Sequence, residues 1–476
     1  MDKPDKPSRK SFNARLHGMI DRLRSDIYDG RLAPGQYLPS EKMLSEQYQL
    51  SNKSVRKGLD MLVEEQLIAK IDRVGSRVLD YIPGSQSTIT LGVTSSIERD
   101  ISLTALLEDF HSLYPDKRVR TVLVKTVSDY ADNLKEHLDQ FQIDVFTLNN
   151  TDFQSIADFG QLHLLEALQA DRNLYPFTED AFYDGGTLYA RPLVFSPIIL
   201  AYNRKHFQEA NVPEPDSSWT WDDCLRYAAE LTAGGDKFGL YFYLLSDNRW
   251  PIFIVQSGMK FEPDEEGSLQ LADTRLMECI RLCKRIVTDS KVYPSYVSES
   301  SQDVTELFMQ DKISMIMTTY MSMNDFKNID FDISPLPYRY EPRTLLTVIG
   351  IAINKHSKNK EMAKLLVDYL ASDRAQKIIR ERTVSLTARR SVTELQLEPQ
   401  QGINRPSRFA LYREIMSSYR LHREMNLSNE SFVGLRQLFK KYWWGLIDDE
   451  ALCVEVNEMF LRLHAKQITE TASKEE

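Results

Sequence analysis

Phe12, Leu16, Ile20, Leu23 and Ile27 recur every three or four residues, the spacing of a helix with one apolar face. The pattern stops at Asp29-Gly30, and Pro34-Gly35 marks a turn. A second short helix is predicted from Ser40, whose hydroxyl can cap free amides while Glu41 sits favourably against the helix dipole. Met43, Leu44 and Tyr48 would form its buried side. Ser51 can cap a third helix in which Val55, Leu59 and Leu62 point inward and Lys53, Arg56, Lys57 and Asp60 share another face. Two short extended pieces follow, at 67–71 and 77–79, around Asp72-Arg-Val-Gly-Ser76. Three helices and a hairpin predict a winged helix-turn-helix over residues 1–80, whose third helix can enter a major groove about 12 Å wide. The same periodicity also fits a small helical domain with a solvated charged face.

Residues 81–88 form a Pro/Gly/Ser-rich stretch, read as a linker. From Ile89 the pattern changes, with strands predicted at 89–94, 119–124 and 143–148 and helices at 103–114 and 130–141. Such alternation predicts an α/β domain over 89–476, with a parallel sheet and crossover helices. Ligands of such sheets bind beyond the carboxyl ends of the strands. Those ends carry Thr94-Ser95-Ser96 and Asn149-Asn150, polar groups able to hold a ligand and equally suited to turns and caps.

At 476 residues the chain is too long for one ordinary core. No run approaches the roughly 18 apolar residues of a membrane span. The charged, Pro-rich start, Met1 to Lys10, lacks the apolar segment of a secretory signal, so a cytoplasmic protein is expected. Cys224, Cys279, Cys283 and Cys453 are too scattered for a disulfide framework. Cys279 and Cys283 share a helix face, but no further ligands follow at zinc spacing; buried, inert thiols are expected. The net charge of −10 hides an asymmetry: residues 1–80 hold 15 Lys and Arg against 12 acids, the remainder 44 against 57. A mildly basic head on an acidic body suits phosphate contacts confined to one end.

The run Gly30-x-Leu32-x-Pro34-Gly35-x-x-Leu38-Pro39-Ser40-Glu41-x-x-Leu44, then Tyr48-x-Leu50-Ser51-x-x-Ser54-Val55-Arg56-x-x-Leu59-x-x-Leu62, resembles the GntR family of bacterial regulators. The resemblance implies a homodimer on a double-stranded operator, with Ser54 and Arg56 on the recognition helix. The implied DNA-contacting set is Ser40, Lys42, Asn52, Lys53, Ser54, Arg56, Lys57, Arg73, Ser76 and Arg77. Two departures stand out: Asn52 replaces the family's usual Arg, and the wing reads Arg73-x-Gly75-Ser76 rather than Gly-x-Gly-Thr.

Further on, Asp184-Gly-Gly-Thr-Leu-Tyr-Ala-Arg-Pro192, Ala201-Tyr-Asn-Arg204, Trp219-Thr-Trp221-Asp-Asp223, Phe331-Asp-Ile-Ser-Pro-Leu-Pro337 and Tyr369-Leu-Ala-Ser-Asp373 resemble family 1 extracellular solute-binding proteins. The similarity runs from residue 89 to about 463 and implies the two-lobe fold of type II periplasmic binding proteins, with a helical C-terminal extension and a hinged cleft. The cleft residues it implies are Ser95, Asn149, Asn150, Ser196, Asp247, Asn248, Trp250 and Tyr320, and the implied ligand is a mono- or oligosaccharide. Sugars stack C–H faces on aromatic rings and pair hydroxyls with amides or carboxylates. Large rings also simply fill cores, and Trp443-Trp444 reads as helix docking.

Enzyme chemistry finds no support: there is no glycine-rich phosphate loop, no Gly-x-Ser-x-Gly elbow, no His-Glu-x-x-His, and the eight histidines are scattered. No enzyme, metal or cofactor is expected. The expected function is a ligand-responsive transcription regulator in which a saccharide modulates operator binding. The alternative is a solute-binding fold that has lost its ligand and docks a transporter subunit or other protein.

Overall fold

The computed structural model of the protein describes residues 9–28, 31–32, 35–65, 67–71, 74–79, 87–124, 131–232, 237–294, 298–395 and 402–475. The chain forms two compact units, Met1–Thr88 with Tyr114–Arg118, and Ile89–Leu113 with Val119–Glu476. The expected linker residues 81–86 lie outside the described residues.

In the smaller unit, helices α1 (Arg9–Tyr28), α2 (Glu41–Tyr48) and α3 (Asn52–Glu64) precede an antiparallel hairpin of β1 (Ile68–Ile71) and β2 (Gly75–Val78). Leu16, Ile20, Leu23 and Ile27 of α1 meet Leu44 of α2 and Val55, Leu59 and Leu62 of α3 in one core. Ser40 Oγ accepts from the Met43 amide, and Ser51 Oγ from the Ser54 amide, so both predicted caps form. Met43 itself is 59% exposed, not buried, because Leu44 alone fills the inward position of this short helix. Gly58 lets α1 approach closely: a Cβ there would lie 2.5 Å from Met19 Cε. Gly75, at φ +138, opens β2 in backbone territory that side chains rarely adopt.

The larger unit is built on a ten-stranded sheet. Its main path runs β4 (Lys117–Leu123), β3 (Ser87–Val93), β5 (Val145–Asn149), β10 (Thr344–Ile353), β6 (Ala190–Asn203), β8 (Ile313–Thr319) and β7 (Phe238–Tyr241). Strands β9 (Phe331–Ser334), β11 (Leu386–Thr387) and β12 (Tyr419–Arg420) pair alongside. The sheet is mixed, not parallel throughout: β3–β5 and β7–β8 are parallel, but β10 runs antiparallel to β5 and β6. Hydrophobic alternation carries no strand direction, so this reversal was invisible to the pattern.

The reversed strands join the two lobes. All 14 residues of β6 are buried; its first half pairs with β10 and its second half with β8. The β6–β10 register shifts between Ile349 and Gly350, a bulge on the strand that carries Pro192. A Cβ on Gly350 would meet the Phe182 ring at 2.7 Å. Around the sheet, α4 (Ile97–Ile101) follows β3, α5 (Asn150–Asp158) follows β5 and packs on β5 and β10, α6 (Pro251–Gln256) packs on β10, and α7 (Ser301–Met309) packs on β8. Two C-terminal helices, α8 (Asn429–Trp443) and α9 (Asp449–Glu475), complete the fold. Phe261 stacks on Phe460 at 5.8 Å and Trp250 packs against Phe432 and Phe439. Cys224, Cys279 and Cys283 are buried free thiols.

Candidate functional site

In the smaller unit the capped start of α3 presents exposed Asn52, Lys53, Arg56 and Lys57, with Lys42 and Ser40 exposed on and before α2. Arg56 Nε bonds Glu41 at 2.6 Å; an exposed pair of this kind contributes under about 1 kcal/mol, so its main effect is to hold the guanidinium in place. Ser54 turns inward: it is buried, and its hydroxyl lies 2.7 Å from Ser51 Oγ. It therefore completes the cap rather than reaching outward. Ser76 and Arg77 are half-buried on the hairpin, and Arg77 Nε is enclosed without a partner. Arg73 lies outside the described residues. Lys70 pairs with Asp60, tying the hairpin to α3. The outward row Lys53, Arg56 and Lys57 can meet phosphates and base edges together.

In the larger unit a cleft of about 300 Å³ opens beyond the carboxyl ends of β3, β5 and β8, within the range of small-molecule sites. Thr94, Ser95 and Ser96 follow β3; Thr147 and Asn149 end β5; Thr319 ends β8; Ser246, Asn248 and Arg249 come from the turn before α6. Of the eight expected cleft residues, Ser95, Asn149 and Asn248 line this cleft. The Asn149 side chain also caps α5, accepting from the amides of Thr151 and Asp152.

The other five lie elsewhere. Asn150 is buried; its carbonyl oxygen accepts from the Val348 amide at 2.9 Å and its nitrogen faces His422. Asp247 bonds Arg436 at 2.6 Å. Ser196 and Tyr320 are wholly buried: Ser196 Oγ accepts the Tyr320 amide, and the Tyr320 hydroxyl donates to the Phe409 carbonyl at 3.0 Å. Trp250 belongs to the aromatic core. Long-range packing decided these positions; the local string Asp247-Asn-Arg-Trp250 does not distinguish a ring in a cleft from one in a core.

No aromatic ring among the described residues lines the cleft. Tyr241, Tyr243, Trp443 and Trp444 instead line a separate hollow of about 330 Å³. Two arginines that sequence reasoning passed over do face the cleft, Arg99 and Arg249. Burial works against the Arg99 charge, but Asp100 at 2.8 Å and Asp325 at 3.2 Å outweigh it and hold its pKa above the ordinary value. Burial pushes the Asp100 carboxyl upward, with Arg99 pulling partly back. Burial alone pulls Arg249 down to about 10. Among the described residues no His/Cys/Asp/Glu group is placed to hold a metal.

A family model described as bacterial extracellular solute-binding protein matches residues 94–377, and one for bacterial regulatory proteins of the gntR family matches 18–78. A Brucella abortus sequence named only as a binding protein is 25% identical over 256 residues, covering 49% of this chain and 61% of that one. The galactooligosaccharide-binding protein of Bacillus subtilis is 25% identical over 241 residues, 47% of this chain and 55% of that protein. At the N-terminus, the mannosyl-D-glycerate transport/metabolism system repressor MngR of Escherichia coli is 40% identical over 60 residues, 13% of this chain and 25% of that protein. The chain thus spans at most about three fifths of these curated relatives. The fold matches an ABC substrate-binding protein of Listeria monocytogenes solved with cycloalternan, at TM-score 0.67 and 21% identity over 80% of this chain and 99% of that one. It also matches a maltose-bound protein of T. maritima, at TM-score 0.66 and 17% identity over 79% of this chain and 100% of that one. No described helix is long and apolar enough to cross a membrane.

Proposed function

The chain belongs to the bacterial extracellular solute-binding protein family and carries a GntR domain at its N-terminus, and from that premise we propose that it is a one-component regulator whose DNA affinity a saccharide controls. The observation that carries the reading is the union in one chain of a capped cationic helix and a hydroxyl-rich cleft lined by Thr347 and Ile349 of β10, the long strand paired with β6. Ligand closes the lobes about those strands, and closure changes the spacing of two winged helices in a homodimer. Half-sites sit one helical turn apart, about 34 Å, so a shift of a few ångströms weakens binding. The ligand acts only through its differential affinity for the two states. The proposed protein is cytoplasmic and performs no catalysis.

A second reading, a protein-docking module without small ligand, draws on one observation: Ser196, Trp250 and Tyr320 are packed inside rather than offered to a guest. A thermal-shift panel of mono- and oligosaccharides on the full chain separates the two. The regulator reading expects about 2.7 kcal/mol of added stability at a ligand concentration 100 times Kd. Silence across the panel, with a protein partner recovered by cross-linking, favours docking.

A further inference from the structure

One wall of the cleft carries a charge that its surroundings leave unanswered. Arg249 is only 4% exposed and lines the cleft. Its Nε donates to the Met317 carbonyl at 3.1 Å, and Nη1 reaches the Asn248 carbonyl only at 3.5 Å. No carboxylate among the described residues pairs with it. Other arginines near this depth find different answers: Arg191 meets Glu179 at 3.1 Å, Arg99 meets Asp100 and Asp325, and Arg380, which has no carboxylate partner among the described residues, lies over the Phe409 ring at 4.4 Å, away from the cleft. The two acids of the cleft wall are already engaged, Asp100 by Arg99 and Asp152 by the Asn149 amide at 3.0 Å. With its pKa still at about 10, Arg249 is a full cation at neutral pH.

A buried cation without a counter-ion is expensive, and the expense grows when a closing cleft expels water. Neutral hydroxyls would accept its hydrogen bonds but leave the charge standing. Among the described residues the lining also lacks the aromatic platform on which neutral sugars stack, while Ser246, Ser301 and Thr319 add hydroxyls suited to anionic oxygens. We propose that the guest of this cleft is an anionic saccharide, bearing a carboxylate or a phosphate, and that the guanidinium of Arg249 holds the anionic group. This deepens the reading of the cleft as a saccharide site and rests on it.

The test is calorimetry on the full chain with matched probes: glucose, glucuronate and glucose 6-phosphate, and the galactose trio likewise. The anionic member of a trio is expected to bind roughly tenfold or more tighter than its neutral parent, as a charge-assisted contact allows. The two anionic arms decide between carboxylate and phosphate. Arg249→Gln is expected to erase the difference, and Arg249→Lys to restore part of it. Arg249→Gln without ligand should melt no lower than the parent chain, because it removes an unmatched charge. A neutral sugar bound as tightly as its anionic partner overturns this inference and leaves the saccharide reading standing. Anion binding unchanged in Arg249→Gln overturns it as well. Binding by none of the six, in chain that melts cooperatively, counts against both.

Discussion

Asn150 and His422 meet 3.3 Å apart, amide nitrogen to ring Nδ1, in a buried contact between residues 272 positions apart. An amide nitrogen can only donate, so Nδ1 accepts, the ring is neutral, and Nε2 donates to the Asp247 carbonyl at 2.8 Å. Asn150 also takes the Val348 amide of β10. The chain of bonds therefore runs from the interlobe strand through Asn150 and His422 to Asp247, which is fastened in turn to Arg436. Two residues expected in the cleft, Asn150 and Asp247, are parts of a brace beside it.

Two buried histidines make the fold depend on pH: His422 in that brace and His206, away from it, whose ring meets Ser314 Oγ at 3.0 Å. Burial lowers the pKa of His422, and burial foremost, helped by Lys237, lowers His206 to about 4. Both stay neutral in the folded protein and take up protons on unfolding below the ordinary histidine value near 6.5. Stability present above that value is therefore lost as pH falls toward the folded pKa. His206 alone accounts for on the order of 3 kcal/mol by pH 4. Urea midpoints measured from pH 7 to 4 should fall, and His206→Asn should flatten part of that slope. An identical slope in the variant contradicts the assignment.

Arg56→Ala should weaken DNA binding by about 1–3 kcal/mol, the range of a groove contact, and leave saccharide binding unchanged. Electrophoretic mobility on selected duplexes reads the first and calorimetry the second. Ser51→Ala should act differently, by removing the oxygen that accepts the Ser54 amide, fraying the start of α3 and costing about 1 kcal/mol of stability in the smaller unit. Equal DNA affinity in Arg56→Ala would refute the placement of this helix in a groove.

Trp250→Leu should destabilise the larger unit by about 2–4 kcal/mol, since it empties space between Phe432 and Phe439. Ligand affinity should stay within about twofold, because the ring does not line the cleft. A large loss of affinity at unchanged stability would place the ring in the site after all.

Gly350→Ala should cost about 1–3 kcal/mol, because its methyl would press on the Phe182 ring at the β6–β10 bulge. Thermal melts detect this directly. A neutral outcome would mean that the bulge yields more readily than its packing implies.

What could be read from the chain alone followed the range of each signal. The helices of the head were legible because Leu16 to Ile27 and Val55 to Leu62 repeat within single helices, and Ser40 and Ser51 cap within three residues. The cleft floor was legible where strand ends carry their own polar residues, as at Ser95 and Asn149. Trp250, Tyr320 and Ser196 were misplaced because Phe439, Phe409 and the Tyr320 amide, brought up by distant folding, decide where they point. Arg249 left no sequence trace, since an arginine's want of a counter-ion appears only when everything around it is in place.

The most direct test of the whole account is fluorescence anisotropy on a duplex that the full chain selects from a random-sequence pool, with and without a saccharide shown by calorimetry to bind. Coupling of about 1–3 kcal/mol, or roughly 5- to 150-fold in Kd, is predicted on adding that ligand. A ligand bound at full occupancy that leaves the DNA Kd unchanged would contradict the account.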